Sequence, residues 1–322
     1  MAELRWNPML GEWVMIASHR QNRPFLPRDH CPFCPGVGNT PSEYDVYAYP
    51  NDFPALFAAP PPPDELDDPF YQARPAQGTC DVILYSPDHN KTLGDLSVEH
   101  ILKIIRLWRR RFEELAQRGD IAYVFPFENR GEEVGVTIHH PHGQLYGYPF
   151  IPPRIERELC MSREFQKQTG KCLFCEMLAA ELRAGRRVLR ETPSFLLFLP
   201  FFAHYPYEMM IIPRAHHLTM LTLSKAEDRE LAELLKLVCS TYDALFDLGR
   251  PFPYMMGIHQ APTAPGDYRY YHFHIEYFPL MRAADKLIYN AGSETCVGAA
   301  ANPTCPEERA AELREVIARL EK

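Results

Sequence analysis

Three landmarks occur in the first half of this 322-residue chain and recur in the same order in the second. Cys31-Pro-Phe-Cys34, Pro87-Asp-His89 and His140-Pro-His142-Gly-Gln144 are answered by Cys172-Leu-Phe-Cys175, Pro213-Arg-Ala-His216 and His272-Phe-His274-Ile-Glu276. An order that repeats in this way describes two copies of one supersecondary unit, each packed against its neighbour. The elements between the landmarks repeat as well. In half one, β-branched and aromatic residues predict strands at 12–18, 44–49, 81–85 and 121–125. Between the last two, Ser97 caps a helix to about residue 117, with Val98, Ile101, Leu102, Ile105, Trp108, Phe112 and Leu115 near a 3.6 period. Half two predicts strands at 196–199, 207–212, 254–259 and 270–278, around a helix that starts at Ser224 with Glu227 completing a capping box. The proline- and acid-rich stretch 58–77 is expected to be a long surface loop. The fold class expected is α+β: two tandem half-domains, residues 1–165 and 166–322, each an antiparallel sheet with helices packed on it.

The landmarks also carry metal-ligand chemistry. Zinc takes about four thiolate or imidazole ligands in a tetrahedron, and one tight Cys-x-x-Cys turn supplies two of them. Half one offers Cys31, Cys34, His89 and His140; half two offers Cys172, Cys175, His216 and His272. His217 competes with His216, which holds the more usual place after the turn at Pro213. A redox pair is the alternative, but such pairs start a helix after a strand, whereas Cys31 lies in a coil-like stretch with Pro24, Pro27 and Pro32. Cys80, Cys160, Cys239, Cys296 and Cys305 are expected to be ordinary thiols.

The segment from Phe127-Glu-Asn-Arg-Gly131 to Gln144 is the most informative. In an extended chain, residues two apart share a face, so His140, His142 and Gln144 would line one side, with Pro141 stiffening the turn between the histidines. One imidazole can bind metal while the next meets substrate. A neutral imidazole attacks an electrophilic phosphorus and forms a labile phosphoramidate, Gln144 can donate to a non-bridging phosphate oxygen, and Gly143 permits close approach. The net charge of −8 argues against a nucleic-acid partner. Neither a run of membrane-span length nor a signal-peptide core is present, and this points to the cytoplasm.

On these residues the chain resembles the galactose-1-phosphate uridylyltransferase family of the histidine-triad superfamily. The resemblance runs through Arg5-Trp-Asn-Pro, Ser18-His-Arg20-Gln-Asn-Arg23-Pro, Asn51-Asp-Phe53, Ser86-Pro-Asp-His89, Phe127-Glu-Asn129, His140-Pro-His-Gly-Gln144 and Gly257-Ile-His259-Gln-Ala-Pro262. It implies that His142 is the uridylylated nucleophile, that Gln144 holds the phosphate, and that Arg20 and Arg23 are phosphate contacts suited to the guanidinium fork. It further implies that Asn51, Asn129, Gly135 and Thr137 hold the nucleotide, that zinc is bound, that UDP-glucose and a hexose 1-phosphate are the substrates, and that the protein is a homodimer. Two departures stand out. Some relatives carry a second metal on residues matching Glu158, His259, His274 and a third histidine; here that position is Glu276, so this set and the mirrored cysteine site compete. Glu294 matches a sugar-binding glutamate, but the rest of the sugar-reading tail differs, with Lys286 or Asn302 as substitutes. The alternatives are an ADP- or GDP-sugar phosphorylase of the same superfamily, or a zinc-stabilised nucleotide-binding protein without turnover.

Overall fold

The N-terminal segment forms a hairpin of β1 (Ala2–Asn7) and β2 (Glu12–Ala17). Its turn closes on Gly11, whose φ of +68° suits a residue without a side chain. The structure is a computed structural model that describes residues 2–22 and 31–322. After β3 (Tyr47–Pro50), a short strand β4 (Ala73–Pro75) pairs with the free side of β1 to make a three-stranded sheet. The stretch 58–77, expected to be loop throughout, therefore ends in a strand. Trp6 donating to the Gln72 carbonyl at 3.0 Å continues that pairing, a tertiary contact that local composition does not reveal.

Strand β5 (Thr79–Leu84) leads to helix α1 (Val98–Ala116). Ser97 accepts the His100 N–H as the N-cap, which satisfies one of the helix's unpaired donors. Then follow β6 (Tyr123–Arg130), β7 (His142–Tyr148), α2 (Pro153–Thr169) and α3 (Leu173–Ala184). Strands β8 (Val188–Glu191), β9 (Phe195–Phe198) and β10 (Met209–Pro213) precede α4 (Lys225–Phe246). The Ser224/Glu227 capping box at the start of α4 is formed. The chain ends with β11 (Tyr254–His259), β12 (His274–Pro279), a small ribbon of β13 (Met281–Ala283) and β14 (Lys286–Leu287), α5 (Gly292–Val297) and α6 (Pro306–Leu320). A division at 165/166 would run through α2.

The two half-sheets fuse into one antiparallel sheet of nine strands, ordered β3-β5-β7-β6-β11-β12-β10-β9-β8. Outward from the β6/β11 seam each half runs in equivalent order, as the duplication requires. The seam pairs Tyr254 with Arg130 and Gly257 with Phe127. Alternation decides the layers. Ile83, Leu145, Leu197, Ile211 and Ile275 enter one core with α1, α4 and α6. Their neighbours face the other way: Val82 and Leu84 towards Phe33 and Tyr49, Tyr146 towards the N-terminal sheet, and Leu196, Met210 and Ile212 towards α2 and α3. Trp108 of α1 is fully buried in the helical layer, where truncation to alanine costs ~3–5 kcal/mol. Arg109 ties α1 to α4 by gripping both oxygens of Asp228 at 2.8 and 2.5 Å. By the same alternation His142, Gln144, His274 and Glu276 all belong to the face away from that layer. The fold is therefore α+β with a repeated half.

Candidate active site and metal clusters

His142 is the first residue of β7, and His140 lies in the bend just before it. His140 thus lies just outside the strand, yet its ring and that of His142 both pack against Phe33. His140 places Nδ1 3.8 Å from Cys34 Sγ, and its Nε2–H donates to the Ser86 carbonyl at 2.7 Å. His89 Nδ1 lies 3.6 Å from the same sulfur. The facing atoms of Cys31, Cys34, His89 and His140 all fall within 4.8 Å of one another. Burial holds the His140 pKa down at about 4, so the imidazole keeps the lone pair that a ligand needs.

Half two repeats this geometry closely. His272 Nδ1 lies 3.6 Å from Cys175 Sγ, His216 Nδ1 lies 3.5 Å from it, and His272 Nε2 donates to the Pro213 carbonyl at 3.1 Å. Ser86 and Pro213 each stand three residues before the other histidine of their cluster, so even the carbonyl that orients the ring is duplicated. Such a second hydrogen bond fixes which nitrogen faces a metal. His217 is turned to Thr222 and Glu227 instead. Cys172 is the N-cap of α3, so this second pair does sit at a helix start, yet it faces two histidines. Both tetrads have the thiolate and imidazole donors that zinc prefers.

One hydrogen bond orients the His142 ring. His142 Nδ1–H donates to the His140 carbonyl at 2.7 Å. That contact selects the tautomer whose lone pair is on Nε2. His274 repeats it on the His272 carbonyl at 2.9 Å. The middle aromatic of each Cys-x-Phe-Cys also recurs: Phe33 lies edge-on to His142 at 5.2 Å and to His140 at 6.2 Å, and Phe174 lies 4.7 Å from His274 and 6.2 Å from His272. Sequence reasoning assigned these phenylalanines no role, although their repeat in both motifs was the signal.

Gln144 accepts the Tyr146 hydroxyl at 3.2 Å through Oε1, and Tyr146 takes Arg20 Nη1 at 3.5 Å. This chain of bonds gathers Arg20 and Gln144 and occupies the Gln144 amide oxygen, so that its amide nitrogen remains the donor. Asn51 folds an Asx turn onto the Phe53 N–H at 2.9 Å. Gly135 holds φ at +79°, a left-handed conformation that closes the loop after β6. Thr137 is buried with its hydroxyl unpaired among the described residues, an unsatisfied donor of the kind a ligand oxygen would meet. A cavity of 410 Å³ at the strand ends includes Asn129, His140 and His142 in its wall. Arg23 lies outside the described residues. Glu294 and Asn302 are not brought to His142: Glu294 lines a different cavity of 390 Å³ with Arg154 and His204, and the Asn302 amide donates to the carbonyls of Ala203 and Tyr205. Among the described residues, no helix is long and apolar enough to cross a membrane.

The comparisons with known proteins agree along the whole chain. The N-terminal domain model of galactose-1-phosphate uridyl transferase matches residues 1–152, and the C-terminal domain model matches residues 158–320. A galactose-1-phosphate uridylyltransferase of Thermotoga maritima is 41% identical over 317 residues, covering 98% of each chain. The rat enzyme of the same name is 33% identical, covering 97% of this chain and 86% of its own. A solved uridylyltransferase superposes with a TM-score of 0.90 at 33% identity over 99% of this chain and 100% of that one. An ADP-glucose phosphorylase from Arabidopsis thaliana does so at 0.75, with 27% identity over 98% of each chain. From motif, fold and likeness together, the chain belongs to the galactose-1-phosphate uridyl transferase family.

Proposed function

We infer that this protein is a nucleotidyltransferase that moves uridylate between hexose 1-phosphates through a covalent bond to His142. The observation that carries this is the hydrogen bond from His142 Nδ1–H to the His140 carbonyl, which leaves Nε2 as the attacking atom. Nε2 attacks the α-phosphorus of UDP-glucose, the bond to the bridging oxygen breaks, and glucose 1-phosphate departs with the electron pair. The ring, now substituted on Nε2, carries positive charge, and the His140 carbonyl dipole remains on Nδ1–H to stabilise it. A phosphate oxygen of galactose 1-phosphate then attacks the same phosphorus, and the N–P bond breaks. Leaving group and acceptor are both phosphates, so no separate acid or base is needed. Gln144 and Arg20, with Arg23, serve the phosphates; Asn51, Asn129, Gly135 and Thr137 serve the nucleotide.

Zinc is the metal proposed for Cys31/Cys34/His89/His140 and for Cys172/Cys175/His216/His272. Its role there is structural: it fixes the bend that carries His142 in half one and the start of β12 in half two. Glu294 lies away from His142 in its own chain, which supports a homodimer in which one chain's tail serves the partner's site. Asn302 is then a loop anchor. The cytoplasm, where paired thiols stay reduced, is the proposed setting.

Intact-mass spectrometry tests the reading. Incubation with UDP-glucose alone should add one uridylate per chain, and galactose 1-phosphate should remove it. His142→Gly should show no adduct with an unchanged circular dichroism spectrum. A full adduct in that variant refutes the assignment. The likeness to the ADP-glucose phosphorylase supports the alternative, which predicts an adenylate adduct from ADP-glucose, discharged by inorganic phosphate.

A further inference from the structure

Two residues beyond His272, half two holds another cluster: Glu158 of α2, His259 of β11, and His274 and Glu276 of β12, with facing atoms within 4.8 Å. The family resemblance implies a metal here, with Glu276 in place of a histidine. His274 follows the pattern of the cysteine tetrads, with Nδ1–H on the His272 carbonyl and Nε2 towards Glu158 at 3.9 Å, but the rest of the hydrogen bonding differs. In those, the ligand histidines His140 and His272 turn their second nitrogen outward to a backbone carbonyl, leaving the ligand atoms to face one another. Here a positive side chain already stands between the carboxylates. Arg154 donates from Nη2 to Glu276 Oε2 at 2.7 Å and from Nε to Glu158 Oε1 at 3.2 Å. The other Glu158 oxygen takes the Tyr271 hydroxyl at 2.7 Å and lies 3.2 Å from His259 Nδ1. The second His259 nitrogen faces Glu276 Oε2 at 3.6 Å.

Arg154 is held in that position from three sides. It lies in the first turn of α2, four residues before Glu158, so the pair shares one helix face. Its guanidinium lies over the Phe278 ring at 4.9 Å. Glu276 is buried, and a buried carboxylate requires a charged partner. A guanidinium gives that partner in a fixed fork that reaches two carboxylates at once. A divalent cation at the same place would share it with a fixed positive charge. It would also take oxygens that are already bonded, and a His259 ring whose two nitrogens each face a carboxylate. The residues do not fit a metal as the chain stands.

We propose that Arg154 is the resident cation of this cluster, taking the place of the metal that the family resemblance implies there, so that Arg154, Glu158, His259 and Glu276 form a closed ion-pair network. Manganese(II) tests this apart from transfer activity, because a hard cation favours carboxylate and imidazole over the thiolate tetrads. Full-length protein would be incubated with Mn(II) and desalted, and the retained ion read by electron paramagnetic resonance. The wild type should retain no ion that Glu276→Gln loses, and Arg154→Ala should retain one per chain. One Mn(II) held by the wild type and lost in Glu276→Gln overturns the proposal. So does a folded Arg154→Ala protein that retains none. Should that variant fail to fold, the comparison of wild type with Glu276→Gln decides.

Discussion

Gly143 separates His142, the proposed nucleophile, from Gln144, and the space its missing side chain would fill is already taken. A Cβ built there would lie 2.1 Å from the Tyr85 hydroxyl oxygen, 2.8 Å from Tyr85 Cζ and 3.0 Å from the Phe127 carbonyl. The first distance falls short of an ordinary 3.4 Å contact by about 1.3 Å. Tyr85 cannot simply swing away: it is buried, edge-on to Trp108 at 5.9 Å, and its own N–H is bonded to the Pro141 carbonyl. Gly143→Ala must therefore displace the start of β7, and His142 with it. Overpacking of this kind costs ~1–3 kcal/mol, which the fold can tolerate, whereas a misplacement near 1 Å at a reacting atom costs about 10²-fold in rate. The expected result is a folded protein that forms the uridylyl adduct about a hundredfold more slowly in quenched-flow mass spectrometry. Adding Tyr85→Phe removes the worst contact and leaves the 2.8 Å one, so the double variant should recover part of the loss. Adduct formation by Gly143→Ala at the wild-type rate would refute the reasoning.

Other expectations follow from the same geometry. Cys34→Ser should lose one zinc per chain and slow adduct formation about 10- to 100-fold, the usual cost of loosening a residue that orients a site; metal analysis with single-turnover kinetics checks both. Cys175→Ser should lose one zinc and lower the melting temperature without slowing adduct formation, because its tetrad holds β12 rather than the His142 bend. Burial lifts the Glu128 carboxyl to about 7, above its usual 4.5. The folded state therefore binds this proton more tightly than the unfolded one, and stability falls as pH rises between those values, by on the order of 3 kcal/mol. Glu128→Gln should thus be the more stable protein above pH 7 and lose that advantage below about pH 4.5, as read by urea denaturation.

How much of this was legible in the sequence depended on the range of the interaction. The capped helices α1 and α4 were legible because Ser97 and Ser224/Glu227 act within one turn. Both cysteine tetrads could be read because the landmarks repeat in order. Strand β4 was not, since its pairing with β1 joins residues some seventy positions apart. The bend at His140 was not legible, because period-two reasoning assumes a strand and the strand begins only at His142. The inner cluster and the mirrored tetrad were set against each other as alternatives, yet β12 carries one residue of the first pattern two positions after one of the second, and both assemble. Arg154 escaped notice because nothing in its local sequence announces a partner 122 residues away.

The seam between β6 and β11 has a consequence for any attempt to separate the halves. The outermost strands of the nine-stranded sheet, β3 and β8, are four residues each, and β3 ends in Pro50. Short edges with a proline resist adding a foreign strand. Cutting the chain near residue 155 would instead bare the β6/β11 seam, where residues 127–130 pair with 254–257, and leave the amides and carbonyls that bond across it without partners. Either half made alone would carry an adhesive border that the intact molecule never presents, and would be expected to aggregate or to find its counterpart again when the two are mixed.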